Sequence, residues 1–165
     1  MTAEFQQICE DLSKLISSWE VKLVSLPERT TANRVNSQNR SIRQIIGHMV
    51  DSATNNTHRI IHMHYQMSPV AYPDYANLGN NDRWIAIQNY QEEDWGELVR
   101  LWTAVNRHMV HLIRQVDESK LNQIWTSALK DQITLKEMIT DYPQHFKLHL
   151  NEISALINQL IIEHD

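Results

Sequence analysis

The sequence predicts an all-α fold, a four-helix bundle, and three observations support this prediction. Apolar residues recur at three- and four-residue spacing in four long stretches, which is typical of amphipathic helices. The 165 residues include only three glycines and four prolines, fewer turn signals than a strand-rich fold requires. The length suits one compact domain, residues 1–165, and 42 % of the residues are hydrophobic and available for its core.

The first half of the chain contains two predicted helices. Helix one runs from Thr2 to about Leu26. Helix two follows the polar stretch "PERTTANRVNSQN" and runs to about Gln66. Ser41, with Gln44 three residues later, predicts a capping box at its start, the reciprocal pair of hydrogen bonds found at many helix N-termini.

The second half supplies helices three and four, each preceded by an irregular segment. The segment "SPVAYPDYANLGNND" is a long connection, followed by a short helix around Trp84. Helix three begins at about Glu92. A second irregular stretch places Trp125 against the end of the bundle, and Thr134 with Glu137 starts helix four with another capping box. Helices of roughly 24 residues are about 36 Å long, which matches a four-helix bundle.

The charge and the cysteine content exclude several classes of function. Fifteen basic and twenty acidic residues give a net charge of −5, so we expect neither a nucleic-acid partner nor a membrane partner. Cys9 is the only cysteine, which excludes an intrachain disulfide and a cysteine-rich zinc site. The N-terminus carries acids where a signal peptide needs a basic start, and no stretch reaches membrane-spanning length. We therefore expect a cytoplasmic protein.

Two of the nine histidines mark one face of helix four. His145 and His149 are four residues apart in the stretch "DYPQHFKLHL", so their side chains share a helix face. His149 falls within the apolar stripe and should face inward, and His48 of helix two has an inward or marginal position. Three imidazoles from facing helices would leave coordination positions open, as a catalytic metal site requires. The alternative is that these histidines are hydrogen-bonded at the margin of the core.

Pro143 lies inside helix four, whose apolar stripe extends to Leu160. A proline at this position cannot donate a hydrogen bond to the carbonyl of Ile139. It either kinks the helix or starts a new one. The stripe continues in phase across the proline, which favours a kink that re-aims the turn carrying His145.

Three segments, "SIRQIIGHMVDSATNNTHRI", "WGELVRLWTAVNRHMVHLI" and "TLKEMITDYPQHFKLHLNEI", resemble the DinB-like or YfiT-like superfamily (DinB/DfsB) of bacterial four-helix proteins, over about residues 5 to 160. The resemblance implies an up-down-down-up bundle, frequently a homodimer. It also implies a divalent metal ion, zinc or nickel, held by one histidine of helix two and two of helix four. Those positions match His48, His145 and His149. Two positions depart from the family: Arg40 replaces a frequent tryptophan, and Pro143 replaces a β-branched residue.

The resemblance also implies an activity on a small-molecule substrate. Characterised branches include transferases for bacillithiol, mycothiol or glutathione and a maleylpyruvate isomerase, so we expect a transferase that activates a low-molecular-weight thiol. The alternatives are a metal-dependent hydrolase using metal-bound water, a non-catalytic metal-binding stress-response protein, and a dimerising helical protein without metal. Asp51 and Asn55 could hydrogen-bond a ligand histidine or position the substrate. Trp84 and Tyr142 could form pocket walls, although solvated, capping or core roles explain these four residues as well.

Overall fold

The computed structural model describes residues 1–162, with side chains through residue 159. Four long helices form the bundle: α1 (Ala3–Val24), α3 (Ile42–Tyr65), α5 (Trp95–Arg114) and α6 (Leu135–Ile162). The connections contain the short helices α2 (Glu28–Asn33) and α4 (Asn80–Gln88), two 3-10 turns (Tyr90–Glu92 and Glu118–Lys120), and the strands β1 (Ile124–Thr126) and β2 (Gln132–Thr134). The predicted bundle, with its long connection between the second and third long helices, is confirmed.

Both predicted capping boxes are confirmed. The backbone N–H of Gln44 donates to Ser41 Oγ at 3.2 Å, and the backbone N–H of Ser41 donates to Gln44 Oε1 at 2.9 Å. Before α6, the backbone N–H of Glu137 donates to Thr134 Oγ1 at 3.1 Å, and that of Thr134 donates to Glu137 Oε2 at 2.8 Å. Each box satisfies N–H groups that have no partner within the helix. The two helices that carry the histidines of interest therefore begin at fixed residues.

The core holds these two helices against each other. Each of α1 and α3 packs against both α5 and α6. Trp102 of α5 and Phe146 of α6 are fully buried, and their rings stack with centroids 5.7 Å apart. Burial of a large apolar side chain contributes about 1.5–3 kcal/mol. A core built from many such residues therefore holds α3 and α6 side by side.

Two elements in the connections differ from the prediction. A short helix, α2, lies in the polar stretch after helix one, and a hairpin of β1 and β2 lies in the second irregular stretch. Trp125 pairs with Ile133 in this hairpin, whose strands have three residues each, too few for an alternating pattern to reveal them. Trp125 is 2 % exposed, as its predicted packing against the bundle requires. The predicted start of helix three at about Glu92 is also shifted. Glu92 lies in a 3-10 turn, and helix α5 begins three residues later, at Trp95.

Helix α6 continues through Pro143 as one helix. The alternative that a new helix starts at Pro143 is therefore wrong, while the kink stays a prediction. Proline has no N–H for the carbonyl of Ile139, so the turn before His145 lacks one backbone hydrogen bond. The stripe nevertheless stays in phase across it, since Ile139 and Phe146 are both buried. Leu160, the last residue of the predicted stripe, lies outside the described side chains.

The connection between α3 and α4, residues 67–79, is tied to the hairpin; we call it the α3–α4 loop. The backbone N–H of Val70 donates to the carbonyl of Ile124 at 2.7 Å. Farther along, the Asp74 carboxylate accepts the backbone N–H of Ala128 at 2.8 Å. These bonds hold the loop in place next to α3.

None of the helices within residues 1–162 combines the length and the mean hydropathy that crossing a membrane requires.

Candidate metal centre

Three histidines from α3 and α6 lie together. One ring nitrogen from each of His48, His145 and His149 lies within 4.8 Å of the other two. The Nε2 atoms of His145 and His149 are 3.1 Å apart. The ring of His48 meets that of His149 edge to face, with centroids 4.6 Å apart. The structure thus brings together the three residues that the sequence and the resemblance indicate as metal ligands.

Tyr75, in the α3–α4 loop, orients the ring of His48. The Nδ1 atom of His48 and the hydroxyl oxygen of Tyr75 are 2.6 Å apart, and the same hydroxyl donates to the backbone carbonyl of His48 at 3.4 Å. Because the hydroxyl has only one proton, both bonds form together when Nδ1–H is the donor in the shorter one. In this tautomer, assigned from the hydrogen bonds, Nε2 carries the lone pair that a metal ligand needs.

Glu152 orients the ring of His149 in a similar way. The Nδ1–H of His149 donates to Glu152 Oε2 at 2.9 Å. Glu152 follows His149 by one helical turn, so α6 itself fixes this pair. The bond leaves Nε2 of His149 as an acceptor on the side where it meets His145, and a carboxylate behind a ligand histidine fixes its tautomer and ring orientation.

The protonation and the spacing of the rings fit a divalent cation. Burial, with the neighbouring histidines adding to the effect, lowers the pKa of His48 to about 2 and that of His145 to about 4. Both rings are therefore neutral at neutral pH, and they need not lose a proton to bind a cation. Two nitrogen ligands of a tetrahedral zinc ion lie about 3.3 Å apart. The 3.1 Å between the Nε2 atoms of His145 and His149 is close to that separation.

The three-histidine centre adjoins a pocket of about 210 Å³. His48 and His145 form part of its wall, and two other residues singled out from the sequence, Asn55 and Tyr142, line it as well. The hydroxyl of Tyr142 donates to Asn106 Oδ1 at 2.7 Å, so this polar group is already satisfied. Through the residues singled out from the sequence, a ligand in the pocket would meet imidazoles, an amide and an aromatic ring.

The other two residues singled out from the sequence lie outside this wall. Asp51 is 2 % exposed, and its carboxylate accepts hydrogen bonds from the Tyr90 hydroxyl and the Gln88 amide, both at 2.6 Å. Trp84 is 38 % exposed and meets the ring of Tyr75 edge to face, with centroids 5.1 Å apart. Asp51 thus connects α3 to the segment around the end of α4, and Trp84 supports the tyrosine of the α3–α4 loop.

The buried Asp51 carboxyl predicts a pH-dependent stability. Burial raises the pKa of Asp51 to about 6, although the hydrogen bonds from Tyr90 and Gln88 oppose the shift. The folded state holds this proton more tightly than the unfolded chain does. The stabilisation from this proton is full below about pH 4, the unfolded value, and is lost as the pH rises through about 6.

We expect Asp51→Asn to remove this loss, because an amide does not ionise. Wild type should lose stability relative to the variant as the pH rises from low to neutral. The free energy of unfolding of the variant minus that of wild type should increase by on the order of 2 kcal/mol over this range. Urea unfolding of both proteins across this range measures the shift. A difference that is independent of pH would contradict the expectation.

Three further residues lie near the site, and they differ in how well the sequence alone could have identified them. Tyr75 lies in a loop, where periodicity does not indicate side-chain direction, so no pattern points to it. Glu152 could have been found, because an acid three residues after His149 lies beside it on a helix. Arg59 lies on the same face of α3 as His48, eleven residues on, and also lines the pocket.

The sequence matches no protein-family model and no curated protein. The fold matches the solved structure of YfiT from Bacillus subtilis, described as "a probable metal-dependent hydrolase with an unusual four-helix bundle topology". The TM-score is 0.83 over 97 % of this chain and 90 % of the YfiT chain, at 15 % sequence identity. The resemblance indicated by the sequence is therefore confirmed for the fold: the chain is a YfiT-like four-helix bundle.

Proposed function

We propose that the chain is a divalent-metal-dependent enzyme in which His48, His145 and His149 hold the cation, zinc or nickel. One observation carries the proposal: the cluster of three histidines adjoins a pocket, and two of its members form part of the pocket wall. A structural zinc site closes its coordination sphere with four protein ligands, whereas a catalytic site keeps a position open. Three ligands beside a pocket correspond to the second arrangement.

The reaction we favour is transfer of a low-molecular-weight thiol to an electrophile. A divalent cation at this centre would lower the pKa of a thiol or water at its open position. The chain offers no thiol of its own, because Cys9 is 1 % exposed, its Sγ lies 3.7 Å from the Val110 carbonyl, and burial raises its pKa. The thiol nucleophile would therefore be a small co-substrate, to which Tyr142 and Met138 offer apolar surface in the pocket wall.

A second candidate is hydrolysis, which one residue of the pocket wall supports. Asp141 lines the pocket one turn before His145 and is exposed. An exposed carboxylate at the edge of the pocket could take a proton from the attacking water and return it to the leaving group. The description of YfiT as a probable metal-dependent hydrolase favours the same reaction class.

One activity screen separates these candidates. Zinc- and nickel-loaded protein is incubated with glutathione or bacillithiol and monochlorobimane, and in parallel with nitrophenyl esters without thiol. We expect thiol-dependent adduct formation that His149→Ala removes and Asp141→Asn preserves. Hydrolysis without thiol that Asp141→Asn abolishes would instead establish the second candidate. Metal-loaded protein without turnover in either assay would contradict an enzymatic role and favour a non-catalytic metal-binding protein.

A further inference from the structure

Arg59 is a buried cation on α3 that forms no close ion pair with an acidic side chain among residues 1–159; the Asp74 carboxylate of the α3–α4 loop attracts it from a greater distance. Its side chain is 7 % exposed, and its Nη1–H donates only to Asn56 Oδ1, at 3.4 Å. The Nε–H has no acceptor within those residues. The guanidinium lies over the ring of Trp125, 3.7 Å from the ring centroid. Burying a charge without a directly hydrogen-bonded counter-ion costs free energy, which the contact with the indole and the more distant Asp74 offset only in part.

Asn55 is a second polar residue without a partner at the same pocket. It is 5 % exposed, and within the described part of the chain its Oδ1 receives no hydrogen bond. Asn55 and Arg59 are one helical turn apart, and both line the pocket together with His48. Helix side chains lean toward the N-terminus, so both lean toward the end of α3 that carries His48. The pocket therefore has a metal-binding end and a cationic end, on a helix segment about 16 Å long.

We propose that Arg59 and Asn55 bind the carboxylate end of an organic acid substrate that carries a hydroxyl or amino group next to the carboxylate. This inference rests on the proposed function, since the other end of the same molecule would lie at the three-histidine centre. It adds the substrate class, a small α-hydroxy or α-amino acid or a molecule that ends in one.

The hydrogen-bonding capacity of the two side chains supports this class of ligand. A carboxylate supplies two acceptors for the free N–H groups of Arg59, a charge-assisted arrangement. A neighbouring hydroxyl or amino group supplies the donor that Asn55 Oδ1 lacks. Burial lowers the pKa of Arg59 to about 10, so the guanidinium stays charged at neutral pH. Asp141 is the acidic member of the pocket wall, and its exposure to water screens its repulsion of an anion.

The first test measures charge selectivity in the absence of metal. Full-length protein treated with a chelator is titrated calorimetrically with hexanoate and with hexanamide, which has the same chain and no charge. We expect wild type to bind the acid about ten- to hundred-fold more tightly, the range for hydrogen bonds to a charged group. Arg59→Met should bind the two ligands equally. Equal binding to wild type, or a preference that survives in Arg59→Met, would overturn the proposal.

The second test measures the role of Asn55. Wild type should bind hydroxyhexanoate, with its hydroxyl next to the carboxylate, more tightly than hexanoate, whereas Asn55→Ala should bind both equally. A hydroxyl that gives wild type no advantage would overturn this part of the proposal. Asn55→Asp serves as a further variant, because a negative charge one turn from Arg59 should abolish the preference for acids.

A purely structural role of Arg59 is distinguished by the same data. Such a role would lower the melting temperature of Arg59→Met without changing its ratio of acid to amide affinity. If Arg59→Met does not fold, Asn55→Asp and the wild-type comparison still decide the outcome. Failure of the proposed function is also separable: protein that binds no metal and turns over no substrate could still prefer the acid, since these titrations contain no metal.

Discussion

His149→Ala should abolish stoichiometric metal binding. Wild type incubated with zinc or nickel and then desalted is expected to retain about one ion per chain. The variant loses the ligand whose ring lies nearest to the other two, at centroid distances of 4.6 Å and 4.5 Å, whereas the rings of His48 and His145 are 5.5 Å apart. The remaining two imidazoles cannot make the three-ligand set that an open zinc site uses. Elemental analysis of the desalted proteins and competition with a chelating dye give the occupancy and the affinity.

Two variants control this experiment. His108→Ala removes an exposed histidine of α5 and should leave metal occupancy unchanged. Glu152→Gln keeps all three ligands and weakens the acceptor behind His149, so we expect a loss of roughly 10–100-fold in affinity, smaller than for His149→Ala. Wild type that binds no metal even after zinc or nickel addition would contradict the metal-centre interpretation. Occupancy unchanged in His149→Ala would contradict the assignment of ligands.

Gly47→Ala should destabilise the fold strongly. A Cβ atom added at Gly47 would lie 2.0 Å from Cδ2 of Tyr90, far inside any tolerated contact. Tyr90 is 2 % exposed, and its hydroxyl donates to Asp51, so the ring cannot move away without breaking a buried hydrogen bond. We expect a loss of about 3 kcal/mol, at the upper end for overpacking of a core. Because Gly47 precedes His48, metal affinity should fall as well.

A double-mutant cycle identifies the cause of this loss. Tyr90→Ala removes the ring that a new Cβ would meet. In that background, Gly47→Ala should lower the free energy of unfolding far less, because the clash is gone. Alanine is also the better helix former by about 1 kcal/mol. Urea unfolding of the four proteins gives the coupling energy. Losses that add within about 0.5 kcal/mol would show that Tyr90 is not the source of the effect.

The sequence predicts the helices well because periodicity and capping are local signals. Ser41 with Gln44 and Thr134 with Glu137 mark the starts of α3 and α6, and the apolar stripe of α6 places His149 inward. Periodicity indicates that a residue faces inward, but it does not indicate which helix that residue contacts. The contact between His48 and His149 therefore depends on the resemblance until the structure shows it.

The parts that the sequence does not reveal depend on contacts distant along the chain. Tyr75 reaches His48 from a loop, and the hairpin of β1 and β2 is too short for its pattern to be recognised. The buried, partly unsatisfied state of Arg59 is visible only when the surrounding residues are known. The homodimer, the thiol co-substrate and the cytoplasmic location stay predictions.

The contribution of Tyr75 from the α3–α4 loop has a consequence for how this fold can diversify. The three histidines lie on long helices whose positions the core enforces, so most changes there disturb folding. The opposite side of the pocket is a surface connection, where insertions and substitutions are tolerated far better. Descendants of one ancestral bundle could thus vary the pocket wall through the loop residues beside Tyr75, while keeping the three histidines and the tyrosine that orients His48.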